Sequence, residues 1–383
     1  METLAPQIVA INTRALMKDK LDGIGWFTYH TVKLWVEKNP EVHFYFIFDR
    51  PYDASFIFGK NVTPIVVYPP ARHPILWYLW YEWALPLALD RIQPDIFISL
   101  DTYTSVRWKG RKITAIHDIA FALFDGQVHH LTQKFLRYFT PKYIASSDKI
   151  VTVSHSTKQD LMRHYKCPED KILVAHNAPS SEYTPLSAQE IENFKISNTL
   201  GNDYFVFVGS IHPRKNVLTL LKAFEQFKSE TSFSHKLVLI GRMSWKYEDV
   251  NAHLSTMSYR KDIILILHTS PAVIAKWLAS STALLLVSHY EGFGVPIVEA
   301  LASGTAVICA NVSSMPEVAG AGAILVDPND LSEISGAMRK LSEDSSLRSE
   351  LIQSGAKHIK KYNWEHAAEI MWNSMQKKMD NHL

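Results

Sequence analysis

Residues 288–304 read SHYEGFGVPIVEALASG, and they carry the chain from the end of one strand through a glycine-broken loop into a helix. The run TALLLVS from residue 282 is continuously apolar, as a parallel strand buried on both faces must be. Pro296 suits the first turn of a helix, where its missing N–H costs nothing, and Gly304 suits the position just past the end. The apolar run TAVICAN from residue 305 completes a strand, loop, helix, strand unit. In an open α/β sheet ligands bind outside the carboxyl ends of strands, so this loop belongs at the rim of a site. Gly292 and Gly294 would let backbone N–H groups approach a ligand, and the helix N-terminus behind them favours a phosphate. Two acids flank that turn, Glu291 and Glu299, and carboxylates are bidentate acceptors suited to the vicinal hydroxyls of a sugar or ribose. Spacing alone leaves a plainer reading open, in which Glu291 caps a loop and Glu299 is a solvated helix acid.

Working outward, the same alternation fills the chain. QIVAINT near residue 7, VHFYFIF from 42, TPIVVY from 63, DIFISL from 95, KITAIHD from 112, KIVTVS from 149 and KILVAH from 171 read as strands between helical patterns. A polar stretch at 177–203 has the turn residues of a linker. YFVFVGS from 204, KLVLIG from 236, DIILIL from 262, TALLLVS, TAVICAN and AILVD from 323 then restart the pattern. The expectation is an α/β protein of two Rossmann-like, doubly wound domains facing across a cleft. The boundaries read as 1–180 for an acceptor-binding domain, 181–203 for the linker, 204–363 for a nucleotide-sugar-binding domain, and 364–383 for a last helix. That helix either finishes the second domain or crosses back onto the first.

The chain has 383 residues, long enough for two cores. Its 40 Lys and Arg against 38 Asp and Glu leave no global field for nucleic acid, so any anion site must be local. Cys167 and Cys309 have neither metal-ligand nor redox spacing and suit a reducing compartment. The N-terminus lacks a basic region followed by a sustained apolar run, which points to a cytoplasmic protein. The most lipid-like segment, ILWYLWYEWALPLAL at 75–89, holds Glu82 and Pro86 and is too short to span a bilayer of about 30 Å.

The second domain opens on a further site signal. YFVFVGS leads into IHPRKNVLTLLKAFEQF, where Val217, Leu220, Leu221, Phe224 and Phe227 form an inward helical face, so the helix begins near Pro213 to Asn216. Arg214 and Lys215 then stand just past a strand end, a sensible place for cations to meet a diphosphate. By themselves they would read as two exposed cations. Together with Glu291 of the EGFG loop and Glu299 of the helix behind it they point to a nucleotide diphosphate sugar.

With those residues in hand a resemblance becomes specific. SHYEGFGVPIVEALASGTAVICANVSSMPEVAG resembles the E-x7-E segment of retaining glycosyltransferases of family 4, which have the GT-B fold, and VGSIHPRKNVLTLLKAF resembles their phosphate-binding strand and helix. LDGIGWFTYH near 21, AIHDIAF at 115, VTVSHSTKQDL at 151 and AHNAPSSEYTP at 175 extend the likeness over nearly the whole chain. It implies that Glu291 binds donor-sugar hydroxyls, that Glu299 binds the ribose, and that Gly292, Phe293, Gly294 and Val295 wrap sugar and phosphates. Lys215 matches the family's phosphate lysine. Ser210 stands after Gly209 where many members have arginine, which leaves Arg214 to supply the second cation. His117 matches a histidine near the donor sugar, although by pattern a histidine ending a strand is more often structural. Gly23 and Gly25 would let a loop of the first domain close over the phosphates.

The implied reaction moves a hexosyl group, with GDP-mannose as the favoured donor and UDP-glucose or UDP-galactose next, to a glycan or lipid-linked acceptor of polysaccharide or lipopolysaccharide synthesis. No cofactor is expected, and no metal: a D-x-D pair, an HEXXH and clustered Cys/His ligands are all missing from the sequence. Leu76, Trp80, Trp83 and Leu87, with Lys134, Arg137 and Lys142 further on, offer a surface for peripheral membrane contact, against the commoner reading of an aromatic stripe as core. A nicotinamide dehydrogenase fits poorly, since Thr28 and Ile297 stand where a third glycine belongs. A noncatalytic sugar-nucleotide binding protein is the other rival.

Overall fold

A computed structural model describes residues 3–4, 6–126, 128–244 and 247–378. The chain divides into two compact units, one running up to Asn177 and resuming at Asn363, the other spanning Ala178–Tyr362.

The first unit is built on a seven-stranded sheet in the spatial order Val62–Val66, His43–Phe48, Ile8–Asn12, Ile96–Ser99, Lys112–Ala115, Lys149–Thr152, Ile172–Val174, every neighbouring pair parallel. The order reverses between Ile8–Asn12 and Ile96–Ser99, a switch point of the kind where such sheets bind ligands. The helix Trp364–Met375 packs on this unit. Trp35 donates its indole N–H to the Ala368 carbonyl at 2.9 Å, and Trp364 stacks on His30 at 4.6 Å.

The second unit has six parallel strands in the order Ile263–Ile266, Lys236–Ile240, Tyr204–Val208, Ala283–Leu286, Ala306–Ala310, Ala323–Val326. Its switch point lies between Tyr204–Val208 and Ala283–Leu286. The helix Val217–Glu230 buries Val217, Leu220, Leu221, Phe224 and Phe227, the face its spacing predicts.

Three local readings are corrected. The stretch 181–203, taken for a linker, contains the helix Ala188–Thr199, which starts at a capping box: Ser187 accepts from Glu190 N–H while the Glu190 side chain accepts from Ser187 N–H. That reciprocal pair satisfies two end donors and nucleates a helix in a segment with little apolar periodicity. Gly23 and Gly25 belong to the helix Gly23–Lys38 rather than to a loop, because Asp22 accepts from Gly25 N–H at 3.0 Å and caps the first turn.

The aromatic segment is the third. It runs as Pro74–Leu79, a π turn at Trp80–Ala84, and Leu85–Ile92. Trp80, one of the four residues offered for membrane contact, is instead fully buried with Tyr81, Leu85 and Leu89, as the commoner core reading has it. The π turn takes up more than 3.6 residues, so residues spaced by four share the outside: Ile75, Leu79, Trp83 and Leu87, with Tyr78, are exposed. Among the described residues no helix is long and apolar enough to cross a membrane.

Candidate functional site

The second unit gathers its chemistry at the switch point. The strand Tyr204–Val208 ends at Gly209 and Ser210, and a 3-10 turn at Pro213–Lys215 follows. Its start is capped by His212, whose Nδ1 accepts from Arg214 N–H at 3.2 Å. Asn216 then takes a left-handed conformation, φ +56°, and hands the chain to the helix. Its side-chain amide donates to the Val287 carbonyl at 3.0 Å and the Pro328 carbonyl at 2.7 Å, tying this turn to the end of the neighbouring strand.

Against that turn lies the loop from Ser288 to Gly294. His289 N–H donates to the Arg214 carbonyl at 2.9 Å. Glu291 N–H donates to the Ser313 hydroxyl at 3.0 Å, and Ser314 donates to the carbonyls of Glu291 at 2.8 Å and Phe293 at 2.9 Å. The helix Val295–Ala302 begins after Gly294, which at φ +98° occupies a conformation that disfavours any side chain.

These two turns bring Arg214, Lys215 and Glu291 together. Lys215 Nζ lies 2.6 Å from Glu291 Oε1 and Arg214 Nη1 lies 3.0 Å from Oε2, while Ser288 donates to Oε1 at 2.7 Å. Arg214 also donates to the Tyr290 carbonyl at 2.5 Å. Burial works to raise the Glu291 carboxyl, but Lys215 and then Arg214 outweigh it and hold the group down at about 2. Glu291 is therefore ionised at any physiological pH. Oε1 accepts from two donors and Oε2 from one, so of roughly four acceptor positions on a carboxylate one is left, on Oε2. Lys215, Arg214 and Ser288 thus take up most of the acceptor capacity that the resemblance assigned to sugar hydroxyls. The cluster carries a net positive charge and is suited to an incoming anion.

Glu299 sits further along the helix Val295–Ala302, half-buried. Burial pushes its carboxyl up to about 8, opposed by a hydrogen bond from the Tyr183 hydroxyl. Near neutral pH the protonated form of this carboxyl is well populated, and that form can both donate and accept a hydrogen bond. Phe293 is buried with its ring edge-on to Tyr362 at 5.5 Å, so what it can offer a ligand is backbone. Val295, half-buried, opens the helix.

His117 belongs to the first unit, following the strand Lys112–Ala115. Its Nε2 lies 2.8 Å from the Leu100 carbonyl, and since a carbonyl accepts, Nε2 carries the proton and Nδ1 is an acceptor. Burial lowers its pKa, against the opposing effect of that hydrogen bond, so the ring is neutral near pH 7.

Sequence reasoning missed Tyr183, Ser288, Ser313, Ser314 and Asn216, which hold the named site residues in place. Serines and asparagines that brace a loop carry no periodic signal. Tyr183 lies in a quoted motif, but the hydroxyl's partner is 116 positions away and becomes visible through the fold.

The profile described as "Glycosyl transferases group 1" matches residues 188–358, and "Glycosyltransferase Family 4" matches residues 21–180. The O-antigen chain mannosyltransferase B of Escherichia coli is 32% identical over 263 residues, which is 67% of this chain and 67% of that protein. The chain belongs to the group 1 glycosyltransferases. The O-antigen chain mannosyltransferase RfbU of Salmonella typhimurium is 25% identical over 307 residues, covering 78% of this chain and 79% of its own length. Among solved structures, WaaG, a glycosyltransferase involved in lipopolysaccharide biosynthesis, superposes with a TM-score of 0.77 at 13% identity over 96% of this chain and 99% of its own. That likeness establishes the GT-B fold expected from the sequence.

Proposed function

We propose that this glycosyltransferase transfers a mannosyl group from GDP-mannose, with retention at the anomeric carbon and without a metal ion, to a glycan or lipid-linked acceptor of lipopolysaccharide or related polysaccharide synthesis. The observation that carries the reading is the Lys215–Arg214–Glu291 cluster at the carboxyl end of the switch-point strands. The mannosyltransferase names of the relatives at 32% and 25% identity support the sugar.

The residues supply the chemistry in a definite way. Negative charge grows on the leaving diphosphate as the glycosidic bond breaks, and Lys215 and Arg214 stabilise that charge more in the transition state than in the ground state. Glu291 holds both cations in place before the donor arrives, so little reorganisation is left at the moment of reaction, and its remaining Oε2 position accepts one sugar hydroxyl. Glu299 takes the ribose hydroxyls. His117, a neutral acceptor at Nδ1, is assigned to a sugar hydroxyl. With both cations committed to the leaving group and no carboxylate set aside as nucleophile, the acceptor attacks on the face the diphosphate leaves, and a departing phosphate oxygen takes its proton.

In this reading the protein works at the cytoplasmic face of a membrane, a reading supported by the exposed Ile75, Tyr78, Leu79, Trp83 and Leu87, with Arg107 stacked over Trp83 at 3.8 Å. Flotation with anionic vesicles checks this: Trp83→Ala/Leu87→Glu is expected to lose vesicle binding, and equal binding by both proteins contradicts it. For the reaction itself, GDP-mannose, UDP-glucose and UDP-galactose are offered with an octyl α-mannoside acceptor and the product is read by proton NMR. An α-linked product from GDP-mannose is expected; transfer from a UDP-sugar, or a β-linked product, overturns the donor or the stereochemistry.

A further inference from the structure

The first unit holds a cavity of about 360 Å³ lined by Leu16, Met17, Lys18, Lys20, Arg50, Pro51, Tyr52, Asp53 and Arg72. Three loops form it, and each follows the carboxyl end of a strand: Ile8–Asn12 leads to Leu16–Lys20, His43–Phe48 to Arg50–Asp53, and Val62–Val66 to Arg72. It thus lies on the edge of the sheet where open α/β sheets take ligands, and its volume falls within the range of small-molecule sites.

Its charges are unevenly paired. Asp49, fully buried, accepts from Arg50 Nε at 2.6 Å and Nη2 at 2.7 Å and from Ala71 N–H at 2.8 Å, so one carboxylate welds two of the loops and fixes the guanidinium. Arg50 Nη1 points to Met17 Sδ at 3.1 Å, reaching the third loop. Lys18 pairs with Asp53 at 2.8 Å. Lys20 and Arg72 have no ion-pair or side-chain hydrogen-bond partner among the described residues. Lys18, Lys20, Arg50 and Arg72 thus face Asp49 and Asp53, with the exposed Asp19 beside Lys18, so positive charge is in excess at one cavity with the Tyr52 phenol on its wall.

We propose that this cavity is an anion subsite that takes a phosphate or diphosphate group of the acceptor substrate. The inference rests on the proposed function in one respect, the assignment to an acceptor: a nucleotide sugar has one diphosphate, and the second unit already provides cations for it in Lys215 and Arg214. A second cationic site in the first unit calls for a second phosphorylated molecule. An anionic group is attracted by the excess positive charge, Arg72 and Lys20 have donors free for it, and Arg50 is held by Asp49 so that it does not swing away. The apolar wall of Leu16, Met17 and Pro51 accommodates the carbon chain or sugar attached to the phosphate.

The test is calorimetric titration of the full chain with inorganic diphosphate and, separately, with decyl diphosphate, each with and without saturating GDP. Lys20→Glu/Arg72→Glu changes two side chains at the cavity mouth, and Lys60→Glu reverses an exposed cation outside it. The expected result is that the double variant binds both probes at least 10-fold more weakly, while Lys60→Glu and the affinity for GDP are unchanged. Tighter binding of decyl diphosphate by the wild type identifies a lipid-borne phosphate as the source, and equal binding of the two probes identifies a water-soluble one. Wild-type affinity in the double variant, or an equal loss in Lys60→Glu, overturns the site. If GDP does not bind at all, the proposed donor reading falls, while the comparison of wild type and double variant still decides the cavity.

Discussion

Two acids eight positions apart end in opposite electrostatic states, and the difference is one of neighbours. Glu291 is held down at about 2 by Lys215 and Arg214 against the effect of burial, whereas burial raises Glu299 to about 8 with a tyrosine hydroxyl as its partner. The sign of each effect on stability follows. An unfolded Glu titrates near ~4.3. Glu291 therefore contributes stability above that value and loses it as pH falls toward about 2; Glu299 contributes below it and loses its contribution as pH rises toward about 8. Glu299→Gln keeps the acceptor for Tyr183 and removes the ionisation, so its melting temperature relative to wild type is expected to rise between pH 5 and pH 9. A difference that stays flat across that range contradicts the assignment. Lys215→Ala is expected to lower transfer by about 10²–10³-fold, the range for loss of one preorganised charge-stabilising group, with Glu291 still held by Arg214 and Ser288. Steady-state kinetics with the preferred donor check it.

At the scale of elements, close backbone contacts set the site's shape. A Cβ on Gly241 would stand 2.0 Å from the Gly209 carbonyl oxygen, and Gly241 itself is at φ +146°. Gly241→Ala should therefore push the Gly209–Ser210 turn away from its place beside Lys215. Urea unfolding should show a loss on the order of 1–3 kcal/mol for the backbone strain alone, with weakened nucleotide binding; an unchanged midpoint would mean that the two turns are not coupled. Legibility follows the same logic. The helix Val217–Glu230 and the turn before Val295 were readable because apolar periodicity, proline and glycine are local signals. The helix at Ala188–Thr199 was not, because its signal is a capping box rather than an amphipathic stripe. The core reading of the aromatic stripe holds for Trp80, but which residues face outward was hidden by a π turn, which breaks the helical phase that a sequence reading must assume.

For the whole molecule, the alternation of strands and helices in two doubly wound domains was the most legible feature, since continuous apolar runs between helical patterns specify parallel α/β units. Membership of the group 1 glycosyltransferases follows from the same residues that the resemblance rested on. The residues that brace the site stayed out of reach because their partners are set by tertiary contact: Asn216 meets Val287 and Pro328, and Ser313 meets Glu291. The last helix completes the first unit through Trp35, Trp364 and Trp372, the last of these 6.3 Å from the ring of Phe44. Truncation after Tyr362 is therefore expected to lower the melting temperature through the first unit, seen as a loss of near-ultraviolet aromatic signal, while nucleotide affinity in the second unit persists. Loss of nucleotide affinity with an unchanged first unit would reverse that division.

The claim on which the rest depends is that Lys215, Arg214 and Glu291 form the donor diphosphate site. Calorimetric titration of GDP and UDP into the wild-type chain and into Lys215→Ala tests it most directly. Binding of one nucleotide by the wild type, weakened at least 10-fold in Lys215→Ala at a temperature where the variant is still folded, is the predicted result; nucleotide affinity indifferent to Lys215 would contradict it.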